Sequence, residues 1–295
     1  MMKKILIITD CDLDGACSAL ALKWFLPSNY NIIIKPTTVS KFREEILEWL
    51  KKDKFSNYDL VFVCDLDITD SCDLIDFNNV YIIDHHESHK PEIYKNCKKN
   101  ITKSSSTTLM IYDLFLKNKN ISKEQLALIK LVDDYDSYTL KYKQSKELNI
   151  IYWDLPINRV LHFIDIFKEG FKGFNKFQQN TISMYFNKLN SLLKSLQLFK
   201  GIVNFENQNY NCLSTFAENC INDIAEYIYS KFDCDIVFIV NLKTNVVSIR
   251  KNKKCNINLS ELAKQIANGG GHSTAAGCPL NESFMELMKE FMPYE

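Results

Sequence analysis

The chain has 295 residues, of which 46% are hydrophobic and 24% charged, with 36 basic and 36 acidic side chains for a formal net charge of zero. Such a composition suits a soluble protein of one large or two ordinary domains and gives no global attraction to long nucleic acid or anionic membrane. Ten cysteines are present but no pair is spaced Cys-x-x-Cys, and no apolar stretch approaches a bilayer span, so a zinc knuckle and a membrane anchor are both unexpected.

Ile5–Ile8 is continuously apolar and predicts a buried strand; Ala16–Leu26 predicts a helix, ended by Pro27. Ile32–Ile34, Leu60–Cys64 and Val80–Ile83 predict three further strands, and Arg43–Lys51 a helix between the first two of them. Helices follow at Thr107–Lys117 and Lys123–Asp133. Strands alternating with helices imply a parallel sheet covered on both faces, with ligands bound beyond the carboxyl ends of the strands. Lys141–Lys200 is mostly helical in period and reads as the rest of the first domain plus a helical connector. A second αβ unit starts near Val203, with strands at Cys212–Phe216, Asp235–Val240 and Val246–Arg250 and helices at Cys220–Phe232 and Leu259–Ala267. The predicted domains are residues 1–195, including the connector, and 203–295. The Lys3-Lys4 start precedes too few apolar residues for a secretory leader, and thiol-rich composition then fits a reducing cytoplasm.

Chemistry concentrates at the strand ends. Asp10, Asp12 and Asp14 alternate, which in an extended segment puts them on one face, where a divalent cation would relieve their repulsion; a solvated acidic turn is the plainer alternative. Gly15 suits the turn into the next helix. Asp65 comes first after its strand, ahead of Asp67 and Asp70. Asp84-His85-His86 holds two of the five histidines, one able to bind metal while the other meets substrate. Asp133, Asp134 and Asp136 crowd the end of a helix, where the dipole disfavours acids. Ser104–Thr108 opens a helix, as an N-cap or as a phosphate cradle. Three of eight glycines form Gly269-Gly270-Gly271, before His272.

In this order the motifs resemble those of the DHH phosphoesterase superfamily with its DHHA1 domain, in its small two-domain, nanoRNase-like and RecJ-like form. The resemblance implies two Mn²⁺ ions, with Mg²⁺ or Co²⁺ as substitutes. One would be held by Asp10, Asp12 and Asp65, the other by Asp14, Asp65, His85 and Asp136, with Asp65 bridging. Asp136 is preferred to Asp133 because Tyr135-Asp136-Ser137-Tyr138 is similar to the nanoRNase pattern. His86 would face the scissile phosphate, with Asp84 supporting a neighbouring histidine. Ser105, Thr107, Arg250, Gly269, Gly270, Gly271 and His272 would bind substrate. The implied activity is hydrolysis of short oligonucleotides to mononucleotides by metal-activated water. The alternatives are small-molecule phosphohydrolysis (of cyclic mono- or dinucleotides, 3′-phosphoadenosine or polyphosphate) and non-catalytic nucleotide binding. No membrane or stable protein partner is implied, and a homodimer is compatible with the reading.

Overall fold

In a computed structural model that describes residues 3–271 and 273–294, the chain forms two compact units, Met1–Ile182 and Ser183–Glu295. Among the described residues, no helix is long and apolar enough to cross a membrane.

The first unit is built on a five-stranded, fully parallel sheet of β1 (Lys4–Asp10), β2 (Asn31–Thr37), β3 (Leu60–Cys64), β4 (Val80–Asp84) and β5 (Lys98–Ile101), in the order β2-β1-β3-β4-β5. Alternate side chains of one strand point to opposite faces. Ile5 and Ile7 therefore join Phe62 and Ile83 in one core, while Leu6 and Ile8 join Val63 and Ile82 in the other. The first core is covered by α1 (Leu13–Phe25), whose residues from Leu13 to Leu22 are all buried. A helix so enclosed has no polar face, because α4 (Thr107–Ile111), α5 (Lys123–Asp136) and α7 (Arg159–Ile166) surround the sides that the sheet does not. The second core is capped by Phe42 and Ile46 of α2 (Val39–Leu50). The short α3 (Cys72–Ile75) links β3 to β4, and α6 (Lys143–Asp154) precedes α7. The expected parallel sheet with helices on both faces is thus present.

Two local expectations need correction. β5 has no counterpart among the predicted strands: Lys98-Lys99-Asn100-Ile101 lacks an apolar run because it is an edge strand, with Lys98 and Lys99 exposed and Asn100 and Ile101 half-buried. The helix at Thr107 changes to a π-helical turn over Tyr112–Leu116 instead of continuing as one α-helix to Lys117.

The long α8 (Lys176–Lys194) runs from the first unit into the second. The second unit has a seven-stranded mixed sheet, β10-β11-β9-β8-β7-β6-β12. Its strands are β6 (Phe199–Phe205), β7 (Gln208–Phe216), β8 (Ile236–Asn241), β9 (Val246–Lys251), β10 (Gly270–Gly271), β11 (Ala275–Pro279) and β12 (Met292–Pro293). One face carries α10 (Leu259–Ala267) and α11 (Glu282–Met288); α9 (Ile221–Lys231) packs on the other. The predicted β8–β9 hairpin, α10 and its Asn258 cap are all observed.

Candidate metal centre

The parallel sheet reverses its strand order at β1: the chain leaves β1 for β2 on one side and returns to β3 on the other. Ligand crevices of open α/β sheets form at such a switch point, outside the carboxyl ends of the strands. Every acid singled out in the first unit's strand ends falls here. Asp10 is the last residue of β1, Asp65 follows β3, and Asp84 ends β4.

The Asp10–Asp14 run does not stay extended, as expected from its alternation. Asp10 ends the strand, Asp12 caps α1 by accepting from the Gly15 N–H at 2.8 Å, and Asp14 already lies in the first helical turn. The turn requires glycine at position 15, since a Cβ there would stand 2.5 Å from the Asp10 carbonyl oxygen. Asp14 is 1% exposed and accepts from the Thr107 and Thr108 N–H groups at 2.7 and 2.9 Å. These are the free N–H groups of the first turn of α4, so a helix N-terminus is aimed at a buried carboxylate. Asp65 has φ of 60°, a left-handed conformation unusual outside glycine, and accepts from the Thr107 hydroxyl at 3.1 Å.

His85 sits among these acids. Its Nε2 is 3.4 Å from Asp65 Oδ1 and 3.5 Å from Asp136 Oδ2. Ligand atoms of Asp14, His85 and Asp136 lie within 4.8 Å of one another, as do those of Asp65, His85 and His86. The acids at the end of α5 divide their tasks. Asp133 accepts from the hydroxyls of Ser105 and Ser106; Asp134 accepts from the Lys141 and Tyr142 N–H groups ahead of α6; Asp136 faces His85. Asp10 and Asp12 belong to neither three-residue cluster found among the described residues, and the expected Asp10–Asp12–Asp65 grouping is not closed in this conformation.

Behind the histidine pair lies a chain of hydrogen bonds that sequence reasoning misses. Asp84, 0% exposed, bonds His86 Nδ1 at 2.7 Å through one oxygen and His89 Nδ1 at 2.6 Å through the other. His89 Nε2 in turn meets the Tyr94 hydroxyl at 2.7 Å. A third histidine five residues after Asp84 is the available signal, but nothing in sequence says that both rings return to one carboxylate.

The electrostatics follow from burial. Desolvation, then repulsion from Asp14, Asp12 and Asp133, pushes Asp136 up to about 9. Asp10 rises to about 7, chiefly by burial and then by Asp12. Burial and neighbouring carboxylates also raise Asp14 and lift Asp65 well above the carboxylate range. Asp84 goes the other way: burial opposes its charge, but the bonds from His86 and His89 more than offset that and hold it low. For His86, burial disfavours the cation, yet the bond to Asp84 wins and raises its value. Asp136 Oδ2 is buried and accepts no hydrogen bond among the described residues. Carboxylates crowded with an imidazole and an orphaned buried oxygen form a donor set that fits a divalent cation, and oxygen with nitrogen suits Mn²⁺ better than Ca²⁺.

The remaining predicted contacts lie as follows. Ser105 and Thr107, expected to meet substrate, turn to the protein's own acids; Thr107 is fully buried, with its N–H and hydroxyl on Asp14 and Asp65. In the second unit, Arg250 on β9 donates from Nε to Asn222 Oδ1 at 2.9 Å. Gly269 and Gly271 are required by packing, since a Cβ would collide with the Gly277 carbonyl oxygen and the Ala276 Cα respectively, whereas Gly270 is open. His272 lies outside the described residues.

Comparison with known proteins adds two family matches. Residues 4–132 match the DHH family, N-terminal domain, and residues 213–292 match the DHHA1 domain. No curated protein matches the chain in sequence. Among solved structures, an exopolyphosphatase-related protein from Bacteroides fragilis is similar over 97% of this chain and 89% of its own, at 17% identity and a TM-score of 0.56. A manganese-bound exonuclease RecJ is similar over 97% and 88%, at 13% identity and a TM-score of 0.55. RecJ from Thermus thermophilus, in complex with Mn²⁺, gives 12% identity and a TM-score of 0.52; the match covers 97% of this chain but only 51% of that one. At these identities the likeness is one of fold.

Proposed function

The chain belongs to the DHH/DHHA1 phosphoesterase superfamily, and from that premise we propose that it is a Mn²⁺-dependent phosphodiesterase of exonuclease type, releasing mononucleotides from short oligonucleotides. One observation carries the reading. Asp14, Asp65, His85 and Asp136 converge at the sheet's switch point, with a buried Asp136 oxygen that accepts no hydrogen bond among the described residues. A binding module has no need to bury so many mutually repelling acids.

Asp14, Asp65, His85 and Asp136 would hold one ion, and Asp65 with Asp10 and Asp12 a second. Bound there, divalent ions supply positive charge against the substrate phosphate and make a nearby water more acidic. The chain's own residues do the positioning. The α4 N-terminus fixes Asp14 and Asp65 in a buried setting: two N–H groups and the Thr107 hydroxyl bond the acids, and the Thr108 hydroxyl bonds the Asp14 carbonyl. Asp84 locks the His86 ring through Nδ1 and favours its cation, suiting it to contact an anionic phosphate. Arg250 and the glycines at 269–271 are proposed to bind substrate phosphate, Arg being fitted to bidentate contacts. A net charge of zero favours short substrates over long polyanions.

The test is a substrate panel with Mn²⁺: end-labelled di- to pentanucleotides, cyclic dinucleotides, 3′-phosphoadenosine 5′-phosphate and polyphosphate. Preferential turnover of the linear oligonucleotides supports the reading. Faster turnover of one of the small molecules moves the assignment to that substrate, and no turnover of any of them with Mn²⁺, Co²⁺ or Mg²⁺ refutes an enzymatic role.

A further inference from the structure

We propose that Trp153 and Arg159 form a stacking platform for a nucleobase of the substrate, on the wall of the crevice that holds the acids; the proposal rests on the oligonucleotide reading above. The wall is defined by Tyr152, whose ring is fully buried and whose hydroxyl donates to the Cys11 carbonyl at 2.5 Å, between Asp10 and Asp12. Trp153 follows directly, near the end of α6, its ring centroid 5.6 Å from that of Tyr152. Unlike Tyr152, it is 53% exposed, which leaves indole surface open to a ligand.

Arg159 is brought back onto it by the connection between α6 and α7. Residue 158 takes a left-handed conformation, Asn158 at φ of 67°, and the guanidinium of the next residue lies over the indole, Cζ 4.5 Å from the ring centroid. A flat cationic–aromatic surface next to a phosphate-processing centre has two complementary uses. The indole stacks on any base, because every base has a π-face, and the guanidinium stacks or meets a phosphate oxygen. The platform would thus recognise the presence of a base and not its identity.

The experiment compares binding of adenosine 5′-monophosphate and ribose 5-phosphate to the Mn²⁺-loaded protein by calorimetry, for wild type, Trp153→Ala, Trp153→Phe and Arg159→Ala. Wild type is expected to prefer the nucleotide by about tenfold, within what one stacked base contributes. Trp153→Ala should abolish the preference, Trp153→Phe should keep most of it, and Arg159→Ala should weaken both ligands. A wild-type ratio near one, or an unchanged ratio in Trp153→Ala, overturns the platform. Should the ratio depend on Trp153 in a protein that cleaves no oligonucleotide, the platform stands and the exonuclease reading falls. If oligonucleotides are cleaved while Trp153→Ala binds as wild type, the platform falls alone.

Discussion

Asp136→Asn separates the metal-binding account from a purely structural one. Asp136 is raised from an ordinary 3.8 to about 9, so at pH 7 the metal-free folded chain keeps it protonated while the unfolded chain ionises it. A raised folded value means stability present at low pH and lost as pH climbs from 3.8 towards 9. By pH 7 the loss is at most about 4 kcal/mol, from roughly three units at about 1.4 kcal/mol each. Asparagine has the same shape and does not titrate, so the variant should be more stable than wild type in EDTA, by up to that amount. With Mn²⁺ the order should reverse. Wild type gains from a ligand that exchanges its proton for the ion, whereas the variant has lost one carboxylate ligand and should bind Mn²⁺ more weakly by at least about tenfold, the lower end of what losing a mere supporting partner costs. Thermal unfolding at pH 7, in EDTA and then in Mn²⁺, reads both. A variant no more stable than wild type in EDTA, and equally stabilised by Mn²⁺, would refute the reasoning.

Two further outcomes follow from the same groups. Because Asp10 sits at about 7 and Asp136 at about 9, ion binding must release protons, so Mn²⁺ affinity should rise between pH 6 and 8, by up to about tenfold per unit for each proton displaced. Calorimetry in buffers of different ionisation enthalpy counts those protons, and a pH-independent affinity would contradict the assignment. His89→Ala strands one oxygen of the fully buried Asp84 and the Tyr94 hydroxyl, and should cost about 2–4 kcal/mol in urea unfolding. Turnover should fall with it through the loosened His86, and His89→Asn, which can still donate to Asp84, should recover part of both; equal losses in the two variants would leave His89 a filler of space.

The sequence is most readable where one force acts alone. The apolar runs at β1, β3 and β4 are too short for helices and rich in Ile and Val, which marks them as buried strands, and the acids that follow them then lie at their carboxyl ends. β5 is silent because an edge strand made of Lys98, Lys99 and Asn100 carries no hydrophobic signal. The acidic tract Asp133–Asp136 looks like one feature, yet three of its members answer to three different segments, Ser105–Ser106, the start of α6, and His85, which meet only in the folded chain. The same holds for His89, whose role is set by Asp84 and Tyr94 together. Ser105 and Thr107 are sound candidates for phosphate contacts as free hydroxyls at a helix start; burial against Asp133, Asp14 and Asp65 gives their donors to the protein's own carboxylates.

Asp65 is the residue on which the proposed centre turns, lying 3.4 Å from His85 and assigned to both ions. Mn²⁺-dependent hydrolysis of a labelled trinucleotide, measured for wild type and Asp65→Asn with bound Mn²⁺ counted in each, tests the claim directly. The account predicts turnover to mononucleotides by wild type, and loss of both turnover and metal in the variant. A variant that cleaves at the wild-type rate would contradict it.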